Sequence, residues 1–160
     1  MISESLQKLK NKENAEHRLN VFVQKVFNLS GSWSEFVLNF ELHTGAELNE
    51  QIAVYTVKWL IAQTYVYIYS SSPHKEPLKK LLEMSYEAVN YLKDGYSAVR
   101  IYSEQLCNIQ HLIDKTSNDW PDRKEVSDWF KKMFTALIKL NPIEVRAAFY
   151  RDRQLNRYGV

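Results

Sequence analysis

Residues 36–43 read FVLNFELH, and whether they form a strand or a helix decides the fold class of this 160-residue chain. Phe36, Leu38, Phe40 and Leu42 alternate with Val37, Asn39, Glu41 and His43, the period of a strand with one buried face. The preceding LNVFVQKVFNL, residues 19–29, can be read the same way, and SGS at 30–32 could turn between them into a β-hairpin. The helical reading rests on other marks. Leu19, Phe22, Val23, Val26 and Phe27 make one helical face, and Ser32 with Glu35 has the spacing of a capping box. The rest of the chain offers no further strand of comparable quality, and an isolated hairpin is marginal in water. Residues 19–42 are therefore expected to be helical and the chain all-α. An α+β fold with a hairpin at about 19–42 is the alternative.

On either side of this stretch, glycine and proline punctuate helix-length segments. Gly31, Gly45 and Gly95 are expected just past helix ends, because only glycine enters the left-handed region without steric cost. Pro73 and Pro142 suit first-turn positions after Ser72 and Asn141. Two further capping boxes are expected, Thr44 with Glu47 and Asn141 with Glu144. Helices follow at 3–29, 33–43, 46–70, 74–94, 97–115, 121–140 and 142–157, a bundle of six or seven helices in a single domain, 1–160. In segment 46–70, Leu48, Ile52, Tyr55, Trp59, Ala62, Val66 and Tyr69 step by four and three. Val57, Leu60, Ile61 and Ile68 make its other sides apolar as well, the pattern of a buried central helix. Core faces are also expected at Leu78/Leu81/Leu82/Ser85/Val89/Leu92, Val99/Tyr102/Leu106/Ile109/Ile113 and Val126/Phe130/Met133/Leu137/Leu140.

A single cysteine, Cys107, excludes an internal disulfide and argues against a disulfide-rich secreted class. The first residues have no apolar run behind their basic side chains, so no secretory signal is read there. The most apolar stretch, IAVYTVKWLIAQTYVYIY at 52–69, holds Lys58, Gln63 and Thr64 and is too polar for a membrane span. A cytoplasmic protein without membrane attachment is expected. Net charge is only +2 but uneven: residues 131–160 carry seven Lys/Arg against Glu144 and Asp152, giving +5.

Catalytic patterns are missing rather than degraded. There is no phosphate-cradling glycine loop, no HExxH, no CxxC and no GxSxG, so no enzyme, cofactor or metal is expected. Cys107 is the residue to watch. A uniform helical wheel places it opposite the Val99–Ile113 stripe, on a face shared with Glu104, His111 and Asp114. Cys107 and His111 at i, i+4 are within reach of one ion, and a nearby imidazolium would lower the thiol pKa. A polar helix face collects the same residue types without any chemistry, and that reading is preferred.

The strongest functional signal is C-terminal. Arg146, Tyr150, Arg153 and Arg157 form one stripe at i, i+4, i+7 and i+11, on a helix whose apolar side is thin and interrupted by Asp152. Arginine forks onto phosphate or carboxylate, and tyrosine stacks on a base or a partner surface. Trp120, beside Pro121 at a helix start, and Trp129 are further candidate anchors, although structural packing is the preferred reading for tryptophans, which are highly buried on average. The expectation is a non-enzymatic helical interaction module, an adaptor, inhibitor, immunity-type or assembly subunit, that binds a protein partner or its own copies. The alternative is a nucleic-acid binder using the C-terminal Arg/Tyr helix.

Overall fold

A computed structural model of the chain describes residues 2–70, 75–115 and 122–157; the side chains of residues 2, 3, 5, 9, 75, 76 and 153–157 lie outside that description. Among the described residues every regular element is helical: α1 (Ile2–Leu29), α2 (Trp33–Thr44), α3 (Glu50–Tyr69), α4 (Lys75–Tyr91), α5 (Gly95–Ile101), a π-helical turn (Tyr102–Leu106), α6 (Cys107–Lys115), α7 (Arg123–Leu140) and α8 (Pro142–Arg157). The chain is all-α, and each expected helical segment meets a helix. Contacts divide it into two compact units, Met1–Glu47 and Leu48–Val160, each described by itself.

In the first unit the hairpin alternative is overturned, because residues 19–42 lie in α1 and α2. Local chemistry explains the outcome. Ser32, with extended φ −148° and ψ 168°, accepts the Glu35 N–H, and the Glu35 carboxylate accepts the Gly31 N–H at 2.6 Å. Gly45 closes α2 at φ 70°, its N–H on the Glu41 carbonyl. Phe36 and Phe40 are buried one turn apart, whereas Leu38 and Leu42 are 57% and 73% exposed. A strand would have sorted all four to one face; a helix separates them. Phe40 meets Phe22 edge-on at 5.5 Å, and Asn39 Nδ2 donates to Ser30 Oγ at 3.0 Å, joining α2 to the end of α1.

In the second unit α3 packs most extensively on α4, and also on α5, the π turn and α6. It is central as expected, but its buried row is not the expected one. Ala53, Val57, Leu60, Thr64 and Ile68, flanked by Val54 and Ile61, face the core. Of the expected row only Leu48, ahead of the helix, is buried; Val66 and Tyr69 are 57% and 70% exposed. In a helix apolar all round, periodicity does not say which side the neighbours will cover. Thr64 hides its hydroxyl by donating to the Leu60 carbonyl, so a polar residue sits in the core without cost to satisfaction. α3 starts at Glu50 rather than 46, because Asn49 takes the Ile52 N–H, while Thr44 instead caps the end of α2 through the Phe40 carbonyl.

α4 ends at Tyr91 because the Glu50 carboxylate captures the N–H groups of Lys93 and Asp94, and Asp94 then caps α5 through the Tyr96 N–H. Gly45 is the one described glycine with positive φ, which corrects the roles expected for Gly31 and Gly95. Gly95 serves close approach instead: a Cβ there would lie 2.7 Å from the Leu140 carbonyl oxygen. α8 begins as expected, with Pro142 in its first turn and the Glu144 N–H on Asn141 Oδ1. Pro73 lies outside the described residues.

Candidate functional site

α8 docks on α7, α5, the π turn and α6 through buried Val145 and Ala148 and through Phe149, whose ring meets Phe134 at 4.8 Å and Tyr102 at 6.3 Å. Asp152, which interrupts the apolar face in the sequence, turns out to be a docking group. Both of its carboxylate oxygens lie within hydrogen-bond distance of His111 Nε2, at 2.8 and 3.0 Å. The thin apolar face is thus supplemented by a half-buried polar pair across helices. Outward from this dock, Arg146 is exposed and Tyr150 is 66% exposed, its ring edge-on to Phe149 at 5.6 Å. The structure brings these two together on one face; the side chains of Arg153 and Arg157, and all of Trp120, lie outside the described residues.

Trp129 is not a surface anchor. It is 5% exposed, and its indole N–H donates to Ser85 Oγ at 2.9 Å, while Ser85 in turn donates to the Leu82 carbonyl. That relay satisfies both polar groups inside the α4–α7 interface, which is where the tryptophan's area is used.

The π turn reorganises the Cys107 face. The Cys107 N–H bonds to the Tyr102 carbonyl, five residues back, so one extra residue enters the turn and the wheel shifts phase. Tyr102, Leu106, Ile109 and Ile113 are nevertheless buried as expected, and the Tyr102 hydroxyl donates to Gln110 Oε1 at 2.7 Å. The group expected on one polar face is divided between two neighbours. Glu104 pairs with Lys58 of α3 and, at 3.8 Å, with Arg100, while His111 pairs with Asp152 of α8. The bond from Lys58, with its charge, holds the Glu104 carboxyl below the ordinary glutamate value. Lys58 itself, the charge that interrupts the most apolar stretch, is mostly buried and compensated there.

Cys107 is half-buried and donates its thiol to the Ser103 carbonyl. Burial pushes the thiol above its ordinary pKa, and the negative charge of Asp152 adds to the shift. Such surroundings oppose the thiolate that nucleophilic or metal-ligand chemistry requires. Among the described residues no three His, Cys, Asp or Glu side chains are grouped as a metal site, and no helix is long and apolar enough to cross a membrane.

Two surface features were not singled out in the sequence. The first is the outward side of α3, where Val66 and Tyr69 are exposed and Tyr65 stacks on Tyr69 at 5.9 Å. The second is a groove of about 220 Å³ between α4 and α7, lined by Tyr86, Asn90, Lys131, Lys132, Thr135, Ala136 and Lys139. The C-terminal charge asymmetry was its one visible trace. Comparison with family models, with curated proteins and with solved structures finds no match for this chain.

Proposed function

We propose that the chain is a non-enzymatic helical interaction module that binds a protein partner. The observation that carries this reading is the two-sidedness of α3. One row of the helix is spent on the core, while Tyr65, Val66 and Tyr69 make a second apolar row around a stacked pair of rings, with Val66 and Tyr69 largely exposed. Single exposed apolar residues are ordinary; a contiguous aromatic and β-branched row is the kind of surface that anchors partners. Tyrosine suits such a place because its ring buries area while its hydroxyl stays satisfied by water or by the partner. Leu38 and Leu42 on α2 offer a second outward pair.

The test compares wild type with Val66→Glu/Tyr69→Glu and with Leu38→Glu/Leu42→Glu. It uses affinity capture at two salt concentrations and sedimentation velocity for self-association, with circular dichroism to show that each variant folds. Salt-insensitive capture or self-association that one folded pair of substitutions abolishes supports the reading. Association unchanged in both folded pairs, or none at all, overturns it. The nucleic-acid alternative on α8 retains the support of exposed Arg146 and Tyr150.

A further inference from the structure

The α4–α7 groove differs in chemistry from the α3 row. Three ammonium groups, Lys131, Lys132 and Lys139, share one lining with the Tyr86 ring, the Asn90 amide and the Thr135 hydroxyl. No acidic side chain lines it, although Glu83, Glu87 and Asp128 stand on the same two helices. Lysines 131 and 139 are eight residues apart, so their Cα atoms are separated by about 12 Å along α7. That distance exceeds the reach of one small anion and suits a chain of charges. The Lys132 ammonium lies 6.0 Å from the centre of the Tyr86 ring, at the outer edge of cation–π contact, and Tyr86 is 38% exposed. Neither partner is saturated by the other. Beside the Tyr86 ring, Ala136 is the one apolar side chain in the lining.

We propose that this groove binds single-stranded nucleic acid, with the three lysines on successive phosphates and Tyr86 stacking on a base. A positive groove that tracks a backbone, combined with an aromatic ring that accepts any base face, is the arrangement that holds single strands without sequence preference. Duplex is disfavoured because its bases are stacked inside and cannot reach Tyr86. The inference is independent of the α3 surface and of the α8 stripe, and the experiment separates all three.

The measurement is fluorescence anisotropy of the full chain with labelled 12-nucleotide single strands of DNA and RNA, and with a duplex of equal length, at 50 and 200 mM salt. Three neutralised phosphates correspond to a log–log salt slope of about −2 on single strands, or roughly 20-fold weaker binding across that range. Lys131→Glu/Lys132→Glu is expected to abolish binding at 200 mM salt. Tyr86→Ala is expected to weaken it about tenfold while leaving the salt slope unchanged. Circular dichroism and Tyr86→Phe, which keeps the ring, control for folding. No binding at 50 mM salt overturns the proposal. So does binding that Arg146→Glu abolishes and the lysine pair does not, which would place the contact on α8. Equal displacement by polyglutamate with no effect of Tyr86→Ala also overturns it, in favour of an acidic protein segment.

Discussion

Replacing Gly95 by alanine tests the packing of α5 against the end of α7, because two effects of opposite sign meet there. Gly95 opens α5 with φ outside the left-handed region, so alanine is conformationally allowed. Restricting the unfolded chain would then by itself stabilise the variant by about 0.4–1 kcal/mol. Against this, the new Cβ would stand 2.7 Å from the Leu140 carbonyl oxygen and 3.5 Å from Asn141 Cβ. The near atom is backbone, in the last turn of α7, and cannot swing aside like the end of a side chain. The Asn141 amide also donates to the Gly95 carbonyl at 3.2 Å, so moving α5 away weakens that bond too. Overpacking of this kind costs about 1–3 kcal/mol, which outweighs the entropic gain. The expected net is a loss of roughly 1–2 kcal/mol, or a fall in Tm of about 3–6 °C for a chain of this size. Urea and thermal unfolding followed by far-ultraviolet circular dichroism read both numbers. A neutral or stabilised Gly95→Ala would refute the close approach of α5 to α7.

Two further outcomes follow from the buried relay and from the Lys58 pair. Ser85→Ala leaves the Trp129 indole N–H buried without an acceptor and is expected to cost about 1–3 kcal/mol. In a Trp129→Phe background the same change should cost about 1 kcal/mol less; strict additivity in the double-mutant cycle would show that the bond contributes nothing. The Glu104 carboxyl is held below its ordinary value, so its contribution to stability is present above pH 4.5 and lost as pH falls through the lowered folded-state pKa. Wild type should therefore lose more stability than Glu104→Gln between pH 6 and 3. The difference should be modest because the carboxylate is partly exposed, and it should shrink in high salt. Parallel pH profiles for the two proteins would contradict the pairing with Lys58.

The helical class and most boundaries were legible in the sequence because they depend on local chemistry. Ser32 with Glu35, Asn141 with Glu144, Gly45 and Pro142 act within a turn of the chain, and the Leu78–Leu92 stripe is buried as its period requires. Tertiary contacts decided the rest. Which row of α3 is buried depends on where α4, α5 and α6 arrive, and a helix apolar on every side carries no mark of that. Trp129 is buried where α7 meets α4, its N–H satisfied by Ser85, forty-four residues away. Asp152 was made a docking group by His111, forty-one residues away. The π turn inserted a residue that a uniform wheel cannot anticipate, and Glu104 meets Lys58 of α3 while His111 and Cys107 both lie near Asp152 of α8. The lysine groove likewise exists only where α7 lies against α4. A sequence determines the signals that a single turn of chain can read, while surfaces made by two helices are determined by how those helices pack.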